Sequence, residues 1–114
     1  MTSIHRGDLY WIAPTDGQGP AHPHVVVQDD LFNHSRITTV VVCALSTNLA
    51  KGAELGNLVL DEGEGNLPQR SAVVVSQIDS VEKTRLGVRI GSLAPARVEQ
   101  ILDGLRFQQR MAAR

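Results

Sequence analysis

The chain has 114 residues, 42% of them hydrophobic and 20% charged. That is the balance of one soluble globular domain, taken here as residues 1–114. A net charge of -1 gives no electrostatic footprint for nucleic acid. The single cysteine, Cys43, excludes an internal disulfide and an all-cysteine zinc site.

The opening "MTSIHRGDLYW" has no basic segment followed by an apolar stretch, and no apolar run reaches membrane-spanning length. The expected location is the cytoplasm. Asp8 to Ile12 is a short β-favouring run. Residues 13–21, "APTDGQGPA", are a loop. His24 to Gln28 is predicted as a strand led in by Pro23, which is tolerated at a strand's first position. "DDLFNHSR" breaks that pattern as an irregular turn. Thr38 to Leu45 is continuously apolar and β-branched, which predicts a strand buried on both faces, with Cys43 as a small core residue.

"STNLAKGAELG", residues 46–56, is a long loop, and loops of that length often carry function. Asn57 to Leu60 is a short strand, and "DEGEGNLP" an acidic turn. Ser71 to Gln77 is a strand that Ile78 to Val81 extends past a bulge. Val88 to Gly91 is a further short strand. From Pro95 to residue 111, Val98, Ile101, Leu102 and Leu105 recur at helical spacing. Arg106, Arg110 and Arg114 place positive charge toward the helix C-terminus, where it opposes the dipole. The predicted fold is mainly β: a small barrel of five to seven short strands with a C-terminal amphipathic helix.

The order "RGDLYW", "VVVQDDLFN", "TTVVVCALST", "SAVVVSQIDSVEKTRLGVRIGSL" and a final helix resembles the MazF/PemK toxin family from about Arg6 onward. The resemblance implies an SH3-like barrel of the CcdB/PemK type, usually a homodimer. It implies a toxin of a type II toxin–antitoxin system, cutting single-stranded RNA without a metal or other cofactor and inhibited by a disordered antitoxin peptide. CcdB, which poisons gyrase, shares the fold but not the reaction, so fold alone does not assign activity.

Metal-free cleavage uses the 2′-hydroxyl as nucleophile. It needs a base, an acid for the leaving 5′-oxygen, and donors for the charge on phosphorus oxygens. In the family an arginine before the proline of the second strand serves this chemistry, assisted by a threonine or serine ending the third. Here Ser46 is present, and His22 stands in the arginine's place. Histidine exchanges protons near neutrality but lacks the permanent charge and fork of arginine. The family's "QIR" segment reads Gln77-Ile78-Asp79, a carboxylate for a cation. His22 and Ser46 are the expected catalytic pair; Arg6, His24, Gln77, Asp79 and Arg85 are expected to bind substrate.

Plainer readings stand beside these. His22 also suits a pre-proline strand entrance, Ser46 a turn, and Gln77 a buried amide. Arg6 and Asp8 suit a surface pair, and Arg85 a pinned turn. His22 and His24 project to one side of a strand and with Asp29 or Asp30 would form a metal site, or would divide acid and base duties. The alternative function is a barrel without cleavage, binding antitoxin peptide, nucleic acid or gyrase.

Overall fold

The computed structural model describes residues 3–110. Six strands form one antiparallel sheet: β1 (Asp8–Ile12), β2 (His22–Val26), β3 (Thr39–Ser46), β4 (Leu58–Leu60), β5 (Ser71–Glu82) and β6 (Arg89–Ser92). Their order is β4-β5-β3-β2-β1-β6. Helix α1 (Asp30–Asn33) is a single turn and α2 (Pro95–Arg110) is the long helix. The mainly β expectation with a terminal helix is met. Arg114 lies outside the described residues.

Most strand ends shift by a residue or two from the sequence reading, and two departures bear on the site. β2 begins at His22 rather than His24, because Ile12 and Trp11 of β1 pair with His22 and Pro23. Pro23 is acceptable there because the β2–β3 ladder ends at His24↔Ala44, so no partner in β3 needs its missing N–H. "DDLFN" makes a helical turn instead of an irregular one: Asp29 caps it, its carboxylate accepting from Leu31 N at 2.9 Å.

Alternation along the strands splits the core into two clusters. Leu9, Val25, Cys43, Leu45, Val73 and Val75 point to one face. Ile101 and Leu105 of α2 cover it, each burial contributing roughly 1.5–3 kcal/mol. Tyr10, Ile12, Val26, Val40, Val42 and Val81 point to the other face. β3 therefore packs apolar side chains on both faces, as its sequence predicted.

The bulge expected in β5 is present and large. Cys43 pairs with Ile78 but Leu45 with Val73, so two steps along β3 match five along β5. An odd insertion of three residues reverses the alternation. Val73 and Val75 face the helix, whereas the odd-numbered Val81 faces away. The freed backbone groups find partners: the Cys43 thiol donates to Val74 O at 3.0 Å, and Asn57 Oδ1 accepts from Val75 N at 2.9 Å. Burial pushes the Cys43 thiol up to about 12, so it is a structural group and not a nucleophile.

The edge strands β4 and β6 do not pair, and the turn Glu64–Asn66 lies between them. Asn66 Nδ2 donates to Ile90 O at 3.1 Å. Arg97 of α2 grips Glu64 through two bonds of 2.8 and 2.9 Å, and this fork holds the Glu64 carboxyl below its ordinary range. The sheet is thus a curled half-barrel stapled to its helix.

Candidate active site

Where β2 ends its pairing with β3, the face of the sheet bearing the second cluster changes from apolar to polar. Two residues beyond His24↔Ala44 on each strand stand His22 and Ser46. Both line a hollow of about 240 Å³, together with His24, Thr47, Lys51 and Gln77. A second hollow of similar volume shares both histidines and adds Asp79 and Arg85. Side-chain alternation puts His22 and His24 on the same face, as the sequence implied.

His24 is the better-defined histidine. Its Nδ1 lies 2.9 Å from the carbonyl oxygen of His22. A carbonyl only accepts, so Nδ1 carries the hydrogen and Nε2 keeps its lone pair when the ring is neutral. Burial, ahead of all other influences, lowers the His24 pKa below its ordinary value, and the nearby His22 and Arg85 add to this. His24 is therefore a neutral ring at neutral pH with a free basic nitrogen. His22 is exposed at the mouth.

Ser46 ends β3, and its Oγ accepts from Asn48 N at 3.1 Å, so the plain turn reading and its place in the hollow hold together. Gln77 is exposed, not a buried amide. It is the last residue of the bulge, just before pairing with β3 resumes at Ile78. Asp79 is exposed and its Oδ1 accepts from Ser80 N at 2.8 Å. Arg85 does pin a turn: Nη2 donates to Ala13 O at 2.7 Å, tying the 13–21 loop beside the histidines.

Arg6 does not join these residues. Its Nε donates to Val27 O at 3.0 Å, and its guanidinium lies 3.7 Å from Asp29. Val27 is five residues beyond His22, on the order of 16 Å at strand rise. Arg6, expected to bind substrate, therefore stands apart from both hollows. Nor does Arg6 pair with Asp8. Asp8 is 2% exposed and accepts from Arg89 Nη2, Ser92 Oγ and His5 N, tying β1 to β6.

The metal arrangement considered for His22 and His24 is not formed. Asp29 caps α1, and Asp30 accepts from Arg6 N at 2.7 Å, at the far end of β2. Among the described residues no three histidine, cysteine or acidic side chains are placed to share an ion.

The sequence reading missed Lys51 and Asn57. Lys51 sits on a 3-10 turn (Leu49–Ala53) within the 46–56 loop and supplies a cation beside Ser46. Asn57 fixes that turn: Nδ2 donates to Lys51 O at 2.9 Å while Oδ1 holds the bulge at Val75. One signal was available, a lone lysine in a long loop next to the expected serine.

Comparisons with known proteins agree with this architecture. Endoribonuclease MazF2 of Mycobacterium bovis is 35% identical over 107 residues, covering 90% of this chain and 94% of that protein. Endoribonuclease MazF6 of Mycobacterium tuberculosis matches to the same extent. An endoribonuclease structure from a mycobacterial species superposes with a TM-score of 0.76 at 20% identity, covering 94% of this chain and 91% of that one. A second, described as an endoribonuclease in complex with its cognate antitoxin from a mycobacterial species, has a TM-score of 0.73 at 21% identity, covering 94% and 93%. The profile of the family described as PemK-like, MazF-like toxin of type II toxin-antitoxin system spans residues 5–108, and the chain belongs to that family.

Proposed function

We propose that the protein is the toxin of a type II toxin–antitoxin system and cleaves single-stranded RNA without a metal, using His24 and His22 as its base and acid. The observation that carries this is the His24 ring. Its Nδ1 is committed to the His22 carbonyl, its remaining nitrogen has no hydrogen-bond partner among the described residues, and the ring lines the hollow that holds Ser46 and Lys51.

His24 Nε2 takes the 2′-hydroxyl proton as the 2′-oxygen attacks phosphorus. The bond from phosphorus to the 5′-oxygen breaks, and His22, as imidazolium, gives its proton to that oxygen. The products are a 2′,3′-cyclic phosphate and a 5′-hydroxyl. Lys51 and the Ser46 hydroxyl face the charge that gathers on the non-bridging oxygens, with Gln77 beside them. Lys51 thereby supplies the permanent charge that histidine does not have. Asp79 and Arg85 line the adjoining hollow along the strand's path.

The partners in this reading are messenger RNA, a disordered antitoxin peptide and a second copy of the chain, with action in the cytoplasm. No helix among the described residues is long and apolar enough to cross a membrane. Relatives solved with antitoxins, including a MazE-MazF complex from Deinococcus radiodurans, support the peptide partner.

The test is cleavage of a long unstructured RNA in EDTA. Wild-type protein is expected to give discrete fragments ending in cyclic phosphate. Lys51→Met is expected to slow cleavage about 10²-fold, the cost typical of one lost oxyanion donor. A wild type that binds RNA without cutting it overturns the nuclease reading and leaves the binding module.

A further inference from the structure

The end of β2 divides two kinds of space. On one face lie the charged and hydroxyl groups around His24. On the other, cross-strand neighbours Trp11 and Pro23 form the floor of a hollow of about 200 Å³. Pro20 and Pro68 wall it, Thr47 and Gln69 stand at its rim, and His22 lines it as well as the two polar hollows. Among the described residues His22 is its only titratable lining group, and no carboxylate or permanent cation lines it. The Trp11 indole N–H and the Gln69 side-chain amide have no hydrogen-bond partner among the described residues.

We propose that this hollow is a nucleobase subsite, seating one base of the RNA strand next to the phosphate held at His22. This deepens the nuclease reading and rests on it. The chemistry matches a base and not a phosphate: a flat indole and proline faces for stacking, neutral donors and acceptors for the base edge, and no fixed charge. The volume matches too. It is below the roughly 300–1,000 Å³ of sites for drug-sized ligands and suits one planar ring system. Continuity supplies the remaining argument. Because His22 borders all three hollows, a strand with its phosphate beside Ser46 and Lys51 has its neighbouring nucleotide at the lip above Trp11. Gln69 and Thr47 are then the residues that select which base enters.

Trp11 is the only tryptophan in the chain, so its fluorescence reports this subsite alone. The probes are four 2′-O-methyl heptamers, of A, C, G or U, and a heptamer carrying the same backbone without bases. None can be cleaved, so binding is read apart from catalysis. At least one base-bearing heptamer is expected to quench Trp11, and the abasic one is not. By anisotropy of labelled heptamers, Trp11→Ala is expected to weaken the preferred one roughly five- to hundredfold, as for loss of one stacked base. Trp11→Phe should stay within about threefold of wild type, and Gln69→Ala should change the order of preference among the four bases.

Circular dichroism confirms that each variant is folded; if Trp11→Ala is not, the phenylalanine and Gln69 variants and the wild-type quench decide. Equal quenching by the abasic heptamer, or affinity indifferent to Trp11 and Gln69, overturns the subsite. Quenching by none of the heptamers overturns it also and leaves the hollow to a peptide side chain. Base-dependent binding without cleavage in EDTA would sink the nuclease reading while leaving the subsite standing.

Discussion

Asn57 ties the turn carrying Lys51 to the bulge in β5, so its removal should be felt in both stability and cleavage. In Asn57→Ala the backbone N–H of Val75, a residue 1% exposed, loses its acceptor. An orphaned buried donor costs about 1–3 kcal/mol. The bond from Asn57 Nδ2 to Lys51 O, worth about 0.5–1.5 kcal/mol net, goes as well. The expected destabilisation is therefore about 2–4 kcal/mol, a Tm fall of very roughly 8–16 °C for a chain of this size. Urea unfolding should show a lower midpoint with an unchanged slope. Cleavage, measured where the variant remains folded, should drop further because the Lys51 turn is no longer held. Asn57→Asp keeps an acceptor for Val75 N–H but no donor for Lys51 O, so it should recover part of the stability and little of the activity. An Asn57→Ala protein within 0.5 kcal/mol of wild type would refute this account of the bulge.

Gly104 of α2 faces the Gly56 carbonyl so closely that an added Cβ would overlap its oxygen, and Val75 Cγ1 would be only 3.2 Å away. Gly104→Ala should gain about 1 kcal/mol of helix propensity but lose about 1–3 kcal/mol to overpacking against rigid backbone. A net loss in urea unfolding is expected, since Gly56 at φ +84 is itself a poor candidate to yield. Cys43 should resist alkylation in the native protein and react only on unfolding, as followed by mass spectrometry. The lowered His24 pKa means that below histidine's unfolded value, about 6.5, the unfolded chain binds the proton more readily. Its contribution is complete above that value and fades as pH falls toward the lower folded pKa. Stability of His24→Gln should therefore depend less steeply on pH in that window.

Local signals located most of the fold. The β-branched run of β3, the alternation of β1 and the helical spacing of α2 each reflect one element's own burial. The first residue of β2 did not follow from local pattern, because His22 enters the strand through pairing with Ile12 across a nine-residue loop. Ser46 was legible as a strand end, and the shared face of His22 and His24 followed from alternation. Asp79 reaches that face because the bulge reverses β5; the sequence placed a bulge ahead of Ile78 but did not show that it holds three extra residues. Arg6 looked like a site cation beside its neighbours in sequence, but α1 folds back and presents Asp29 and Asp30 to it. Lys51 was hidden because its placement depends on one amide of Asn57.

The most direct measurement of the His24–His22 assignment is the pH dependence of single-turnover RNA cleavage in EDTA for wild type, His24→Gln and His22→Gln. The account predicts a bell for the wild type, with its acid limb below histidine's usual titration. The acid limb should be flattened in the first variant and the alkaline limb in the second. Two variants that cleave with the full wild-type bell would contradict it.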